Sequence, residues 1–73
     1  MKIFLITHNE FGYDSYSGHV VVANSEEEVR ILAKKDSADE GELVWDTANV
    51  SIVGEYSGDK TDPFILLSDF HAG

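Results

Sequence analysis

The side chains that can do chemistry are few and widely spaced. His8, His19 and His71, taken with Asp14 and Asp69, are the residue types that ligate divalent metals. Their spacing matches no two-histidine helical pattern, nor any other standard ligand set. His8 and His19 flank the first polar loop and can approach each other across a hairpin. Serine, histidine and aspartate all occur, so a hydrolytic triad can be drawn. No nucleophile elbow accompanies it, and the glycines form neither a dinucleotide fingerprint nor a phosphate loop. Cysteine is absent, which removes thiolate zinc sites, cysteine nucleophiles and disulfides. These residues predict a protein that binds rather than catalyses, with no cofactor and no metal.

One stretch is distinctive. Residues 36–46, "DSADEGELVWD", carry Asp36, Asp39, Glu40, Glu42 and Asp46 with no basic residue, and they include Trp45, the single tryptophan. Carboxylates set along a surface beside one aromatic anchor can imitate a phosphate backbone. Such a surface would occupy a basic nucleic-acid channel and be weakened by salt. The other reading is a solvated connection, with Trp45 tucked beneath a helix as core.

The overall charge leans the same way. Fourteen acids against five bases give a formal −9. Residues 1–35 hold five acids and four bases, and residues 36–73 hold nine acids and one base, Lys60, so the halves carry −1 and −8. Direct contact with nucleic acid or an anionic membrane is disfavoured, because phosphates would meet carboxylates instead of lysines. A basic protein partner is favoured. Acidity of this kind also serves simply to keep a small protein in solution.

These groups must be positioned by a chain of 73 residues, which is one domain, residues 1–73. A domain of this size buries only roughly 60 % of its unfolded surface, so its core is thin. "KIFLITH" and "HVVVAN" read as strands apolar on both faces, hence central. "NSEEEVRILAKKD" is the clearest helix. Ser25 is its N-cap with Glu28 three residues on, its acids stand in the first turn and Lys34 and Lys35 in the last, and Val29, Leu32 and Ala33 form the apolar stripe with Ile31 on its edge. Glu26 is placed to pair with Arg30. Gly41 is the turning point of the following loop. "NVSIVGEY" is a third strand in which Gly54 marks a bulge or a close approach. After the turn "SGDKTDP", "FILLSDF" is a fourth strand that also reads as central. The prediction is an α+β, two-layer ββαββ fold: a four-stranded, mainly antiparallel sheet with one helix on one face. Strand order stays open.

One short helix leaves the second sheet face uncovered. The loop of residues 9–18 can fold across it, with Phe11, Tyr13 and Tyr16 as lids and Asp14 capping a turn. A second copy of the chain can pack there instead, as a homodimer. A third possibility is that Tyr13, Asp14 and Tyr16 belong to a recognition loop, since tyrosine anchors are favoured at interfaces. The opening "MKIFLITHNE" has too short an apolar run for an export signal, and no stretch approaches the ~20 apolar residues of a membrane span. A cytoplasmic protein without membrane contact is expected.

Several segments taken together carry a resemblance. "MKIFLIT", "YDSY", "VVVANSEEEVR", the spaced "W…V.I.GE" and "LLSDFHAG" resemble small proteins of bacteriophages and prophages over most of the chain. The shared motifs are structural, and no site residue carries over with them. The "SDFHAG" ending departs from an "SFNAG"-like ending. The resemblance implies action in a bacterial host cytoplasm. Small acidic phage proteins are similar in size and charge to anti-CRISPR and anti-restriction inhibitors. The implied role is a nucleic-acid mimic that binds a basic host defence protein through Asp36, Asp39, Glu40, Glu42, Trp45 and Asp46, with Tyr13, Asp14 and Tyr16 alongside.

Overall fold

The computed structural model describes residues 1–9 and 14–71. The chain forms β1 (Lys2–Thr7), β2 (Ser15–Ala23), α1 (Glu26–Lys35), a 3₁₀ turn (Leu43–Asp46), β3 (Asn49–Glu55) and β4 (Phe64–His71). The strands make one antiparallel sheet in the order β3-β1-β2-β4. The α+β architecture is as the residue pattern predicts.

Helix α1 starts where its caps place it. Ser25 Oγ accepts a hydrogen bond from the Glu28 backbone N–H at 3.3 Å. The Glu28 carboxylate reaches back one residue further than in a standard capping box, to the N–H of Asn24 at 2.7 Å, so the cap also secures the exit from β2. Val29 and Ala33 are buried, Leu32 is half-buried and Ile31 is exposed. Their partners come from one face of the two central strands. Phe4 and Ile6 of β1 and Val21 and Ala23 of β2 join Val29, Ala33, Trp45 and Ala48 in a single core. Alternation along the strands accounts for this set: Phe4 pairs with Val21 and Ile6 with His19, so these side chains share the helix-covered face.

Three expectations are corrected. First, β2 begins at Ser15, four residues before His19, where the predicted strand starts, because Ser15 and Tyr16 find ladder partners in His71 and Phe70 of β4. Second, β4 is an edge strand, paired only to β2, and its Leu66 and Leu67 are exposed. An apolar strand reads the same at an edge as at the centre. Order is decided by the segment of residues 56–63, which carries the chain from one edge of the sheet to the other. Tyr56 N–H donates to the Met1 carbonyl at 3.2 Å, which ties this segment to the start of β1. Third, Tyr16 does not lie over the open face. It packs against the helix-side core, while Phe11 and Tyr13 lie outside the described residues.

The open face is instead closed at one end by an aromatic pair. Phe64 is the register partner of Val22, its ring lies 5.5 Å from that of Tyr56, and Val22 beneath has no exposed surface. Toward the other end, Leu5, Thr7, Gly18, Val20, Leu67 and Asp69 line a shallow depression of about 330 Å³. Gly54 is part of a bulge, as expected: Ile3 faces Gly54 and Phe4 faces Ile52, which leaves Val53 without a partner. Among the described residues, no helix is long and apolar enough to cross a membrane.

Candidate functional site

The acidic segment follows directly from the end of α1. Asp36 is the C-cap, and Ser37 Oγ donates to the Lys34 carbonyl at 2.7 Å. Gly41 has φ +80, a left-handed conformation that favours glycine, and its N–H closes a turn on the Ala38 carbonyl at 3.1 Å. The 3₁₀ turn follows, with Trp45 N–H on the Glu42 carbonyl at 3.2 Å. Arg30 fastens it to the helix: Nη1 donates to the carbonyls of Trp45 at 2.7 Å and Ala48 at 2.9 Å, while Nη2 holds Glu26 at 2.8 Å. A loop without regular structure is thus tied down at both ends.

Glu40 ties it in the middle. Its Oε1 accepts from the backbone N–H of Tyr16 at 3.0 Å and of Ala38 at 3.2 Å, and its Oε2 accepts from Trp45 Nε1 at 3.1 Å. Burial pushes its carboxyl upward. The hydrogen bonds from Tyr16, its own backbone, Ala38 and Trp45 together outweigh that, so the group lies below the usual glutamate range.

The predicted residues therefore separate by role. Asp36, Asp39 and Glu42 are exposed, and among the described residues none of them forms a salt bridge. Asp14 is also exposed and lies beside Asp39: its carbonyl accepts from Asp39 N–H at 3.1 Å, and its φ of +51 is one that aspartate tolerates better than most residues. Asp46 is paired with Lys34 at 3.0 Å. Glu40 faces inward. Trp45, expected to anchor a partner, is fully buried and offers no surface to one; its place under the helix is the core alternative. Tyr16 is half-buried, its ring 4.8 Å from His19 and 4.9 Å from Phe70. Tyr13 lies outside the described residues.

Beneath this surface is a cluster that residue spacing does not announce. His8 and His19 are both buried, and their rings lie 4.8 Å and 5.0 Å from the Trp45 indole. His8 Nε2 bonds to the Tyr16 carbonyl. His19 Nδ1 lies 2.7 Å from Ser68 Oγ, and His19 Nε2 is buried with no hydrogen-bond partner among the described residues. The hairpin proximity of the two histidines is the one sequence signal that points here.

A second constellation brings Ser17, Asp69 and His71 together. Ser17 Oγ donates to Asp69 Oδ2 at 2.8 Å and lies 3.2 Å from His71 Nε2, which is itself 3.4 Å from Asp69. In a serine relay the imidazole stands between hydroxyl and carboxylate. Here the hydroxyl proton goes straight to the carboxylate, an arrangement that orders the ends of two strands. No three His, Asp or Glu side chains among the described residues converge to hold a metal ion. No family model, curated protein or solved structure matches this chain.

Proposed function

We propose that this chain is a non-catalytic, phage-type inhibitor that binds a basic surface of a host defence protein of the CRISPR–Cas or restriction type, in the bacterial cytoplasm. The observation that carries the reading is the state of Asp36, Asp39 and Glu42. They are exposed, make no ion pair among the described residues, and stand on a segment held by Glu40 and Arg30. Carboxylates that are already positioned cost little further entropy on binding. With no cation of their own to displace, they favour a surface that otherwise takes phosphates. Asp14 extends the patch, and Tyr16 lies at its border. Trp45, Glu40 and Asp46 serve by holding the segment.

The test is a triple charge reversal, Asp36→Lys, Asp39→Lys and Glu42→Lys, which spares the structural acids. Wild-type and variant proteins are used as bait in host lysate at low and high salt, after circular dichroism shows both to be folded. The wild type should retain a nucleic-acid-binding protein that salt or added DNA displaces, and the variant should lose it. Equal retention by the folded variant refutes the proposal.

A homodimer formed through the open face is the second reading. It is favoured by Leu67 and Leu5 at the depression, 66 % and 36 % exposed. Two such faces would bury one another without bringing the acidic segments together.

A further inference from the structure

We infer that His19 is an acid-operated latch: a proton taken up at its Nε2 detaches Trp45, Glu40 and the acidic segment of residues 36–46 from the sheet. The latch stands without the binding role proposed above and needs no partner.

The geometry begins with an unpaired atom. His19 is 1 % exposed and sits in the middle of β2. With Ser68 Oγ at Nδ1, the tautomer that leaves least unsatisfied carries its proton on Nδ1 and donates it to the serine. Nε2 is then a bare lone pair, enclosed and without a partner. A neutral imidazole tolerates this. An imidazolium does not, because it would place a charged N–H where no acceptor waits.

The surroundings decide what happens next. From the residue that follows β1, His8 faces the cluster, with its Nε2 already bonded to the Tyr16 carbonyl. From β2 comes the Tyr16 ring, and from β4 the neutral Ser68. Helix α1 contributes Val29 and Ala33 to this core, and the 3₁₀ turn contributes Trp45, none of them charged. On the opposite face of β2, Asp69 and His71 hold each other and Ser17. Asp46 is held by Lys34. The two carboxylates that attract a charge on His19 are Glu40 and Asp36, and both belong to the segment in question. Both oxygens of Glu40 are engaged. It can approach an imidazolium only by giving up the Tyr16 N–H, which is its bond to the sheet, and Trp45 Nε1 and the Ala38 N–H, which fix the shape of the segment around it.

Burial holds the His19 imidazole below its ordinary range. Glu40 and Asp36 oppose that shift, and His8 reinforces it. For a histidine depressed in the closed state, the open state binds more protons. Closure is therefore complete above about pH 6.5 and is lost progressively as pH falls below it, by up to tenfold per pH unit for a single proton.

Trp45 is the chain's single tryptophan, so tryptophan emission reports on the surroundings of this one residue. On acidification from about pH 7 to pH 5, across the ordinary histidine range, the emission of the wild type should shift to longer wavelength and recover on return. In His19→Phe, which keeps a ring and removes the proton site, that transition should vanish and only the carboxylate-driven one remain. Persistence of the transition in folded His19→Phe overturns the inference, as does its absence from the wild type. Should His19→Phe fail to fold, imidazole NMR of the wild type decides. His19 proton uptake coincident with the Trp45 shift supports the latch. Ordinary titration of His19 with Trp45 unmoved refutes it.

Discussion

Glu40 is the residue whose removal is best defined by the geometry. Its carboxylate accepts three hydrogen bonds, from Tyr16, Ala38 and Trp45. Hydrogen bonds to a charged acceptor contribute about 1.5–3 kcal/mol each when fully buried. Glu40 is only half-buried, water can replace part of what is lost at the Ala38 end, and the three terms are not additive. The Trp45 indole cannot recover, because it has no exposed surface; leaving its N–H unpaired costs about 1–3 kcal/mol by itself. Glu40→Ala is therefore expected to cost about 2–4 kcal/mol, against a total of about 3–5 kcal/mol for a domain of this size. Glu40→Gln is the more informative change. One amide oxygen can still serve Tyr16 and Ala38, but the amide NH₂ then faces the indole N–H, donor against donor, at about 1–3 kcal/mol. In urea unfolding followed by Trp45 emission, with a slope near 1 kcal/mol per molar, the Gln variant should shift the midpoint by about 1–3 M. The pH dependence supplies a second check. The Glu40 carboxyl lies below its ordinary value in the folded chain. Its contribution is thus complete above the unfolded pKa of about 4.3 and is lost as pH falls through the folded one. The gap between wild type and Glu40→Gln should narrow over that window. A Gln variant within about 0.5 kcal/mol of wild type at neutral pH, inside the range of an ordinary surface substitution, refutes the role of Glu40 as the anchor of the segment.

Two further outcomes follow from the sheet. A Cβ added at Gly18 would stand 2.9 Å from the Ile6 carbonyl oxygen and 3.0 Å from Thr7 Cγ2, so Gly18→Ala must push strands apart and should cost about 1–3 kcal/mol, read as a lowered melting temperature. If the open face pairs two copies, sedimentation should give twice the chain mass, and Leu67→Lys, which places a charge beside the depression, should return the protein to a monomer. A wild-type monomer across the accessible concentration range removes that reading.

The sequence by itself determined the elements and their composition. The helix was legible from Ser25, the acids of its first turn and the lysines of its last, because capping and dipole complementarity are local. The two central strands were legible from apolar residues on both faces, and Gly41 and Gly54 from what their backbones must do. Tertiary structure alone decided the rest. β4 lies at an edge although its residues read as central, since strand order depends on where the segment of residues 56–63 leads the chain. Trp45 is core rather than surface because Glu40, five residues earlier, turns inward to take its N–H. The same contact separates five carboxylates that look equivalent in the sequence into one anchor, one ion-pair partner and three exposed charges. His8 and His19 meet across the β1–β2 hairpin as their spacing allows, but their meeting with Trp45 joins that hairpin to a distant segment. That last meeting arises from how the chain closes on itself, and no local rule of spacing encodes it.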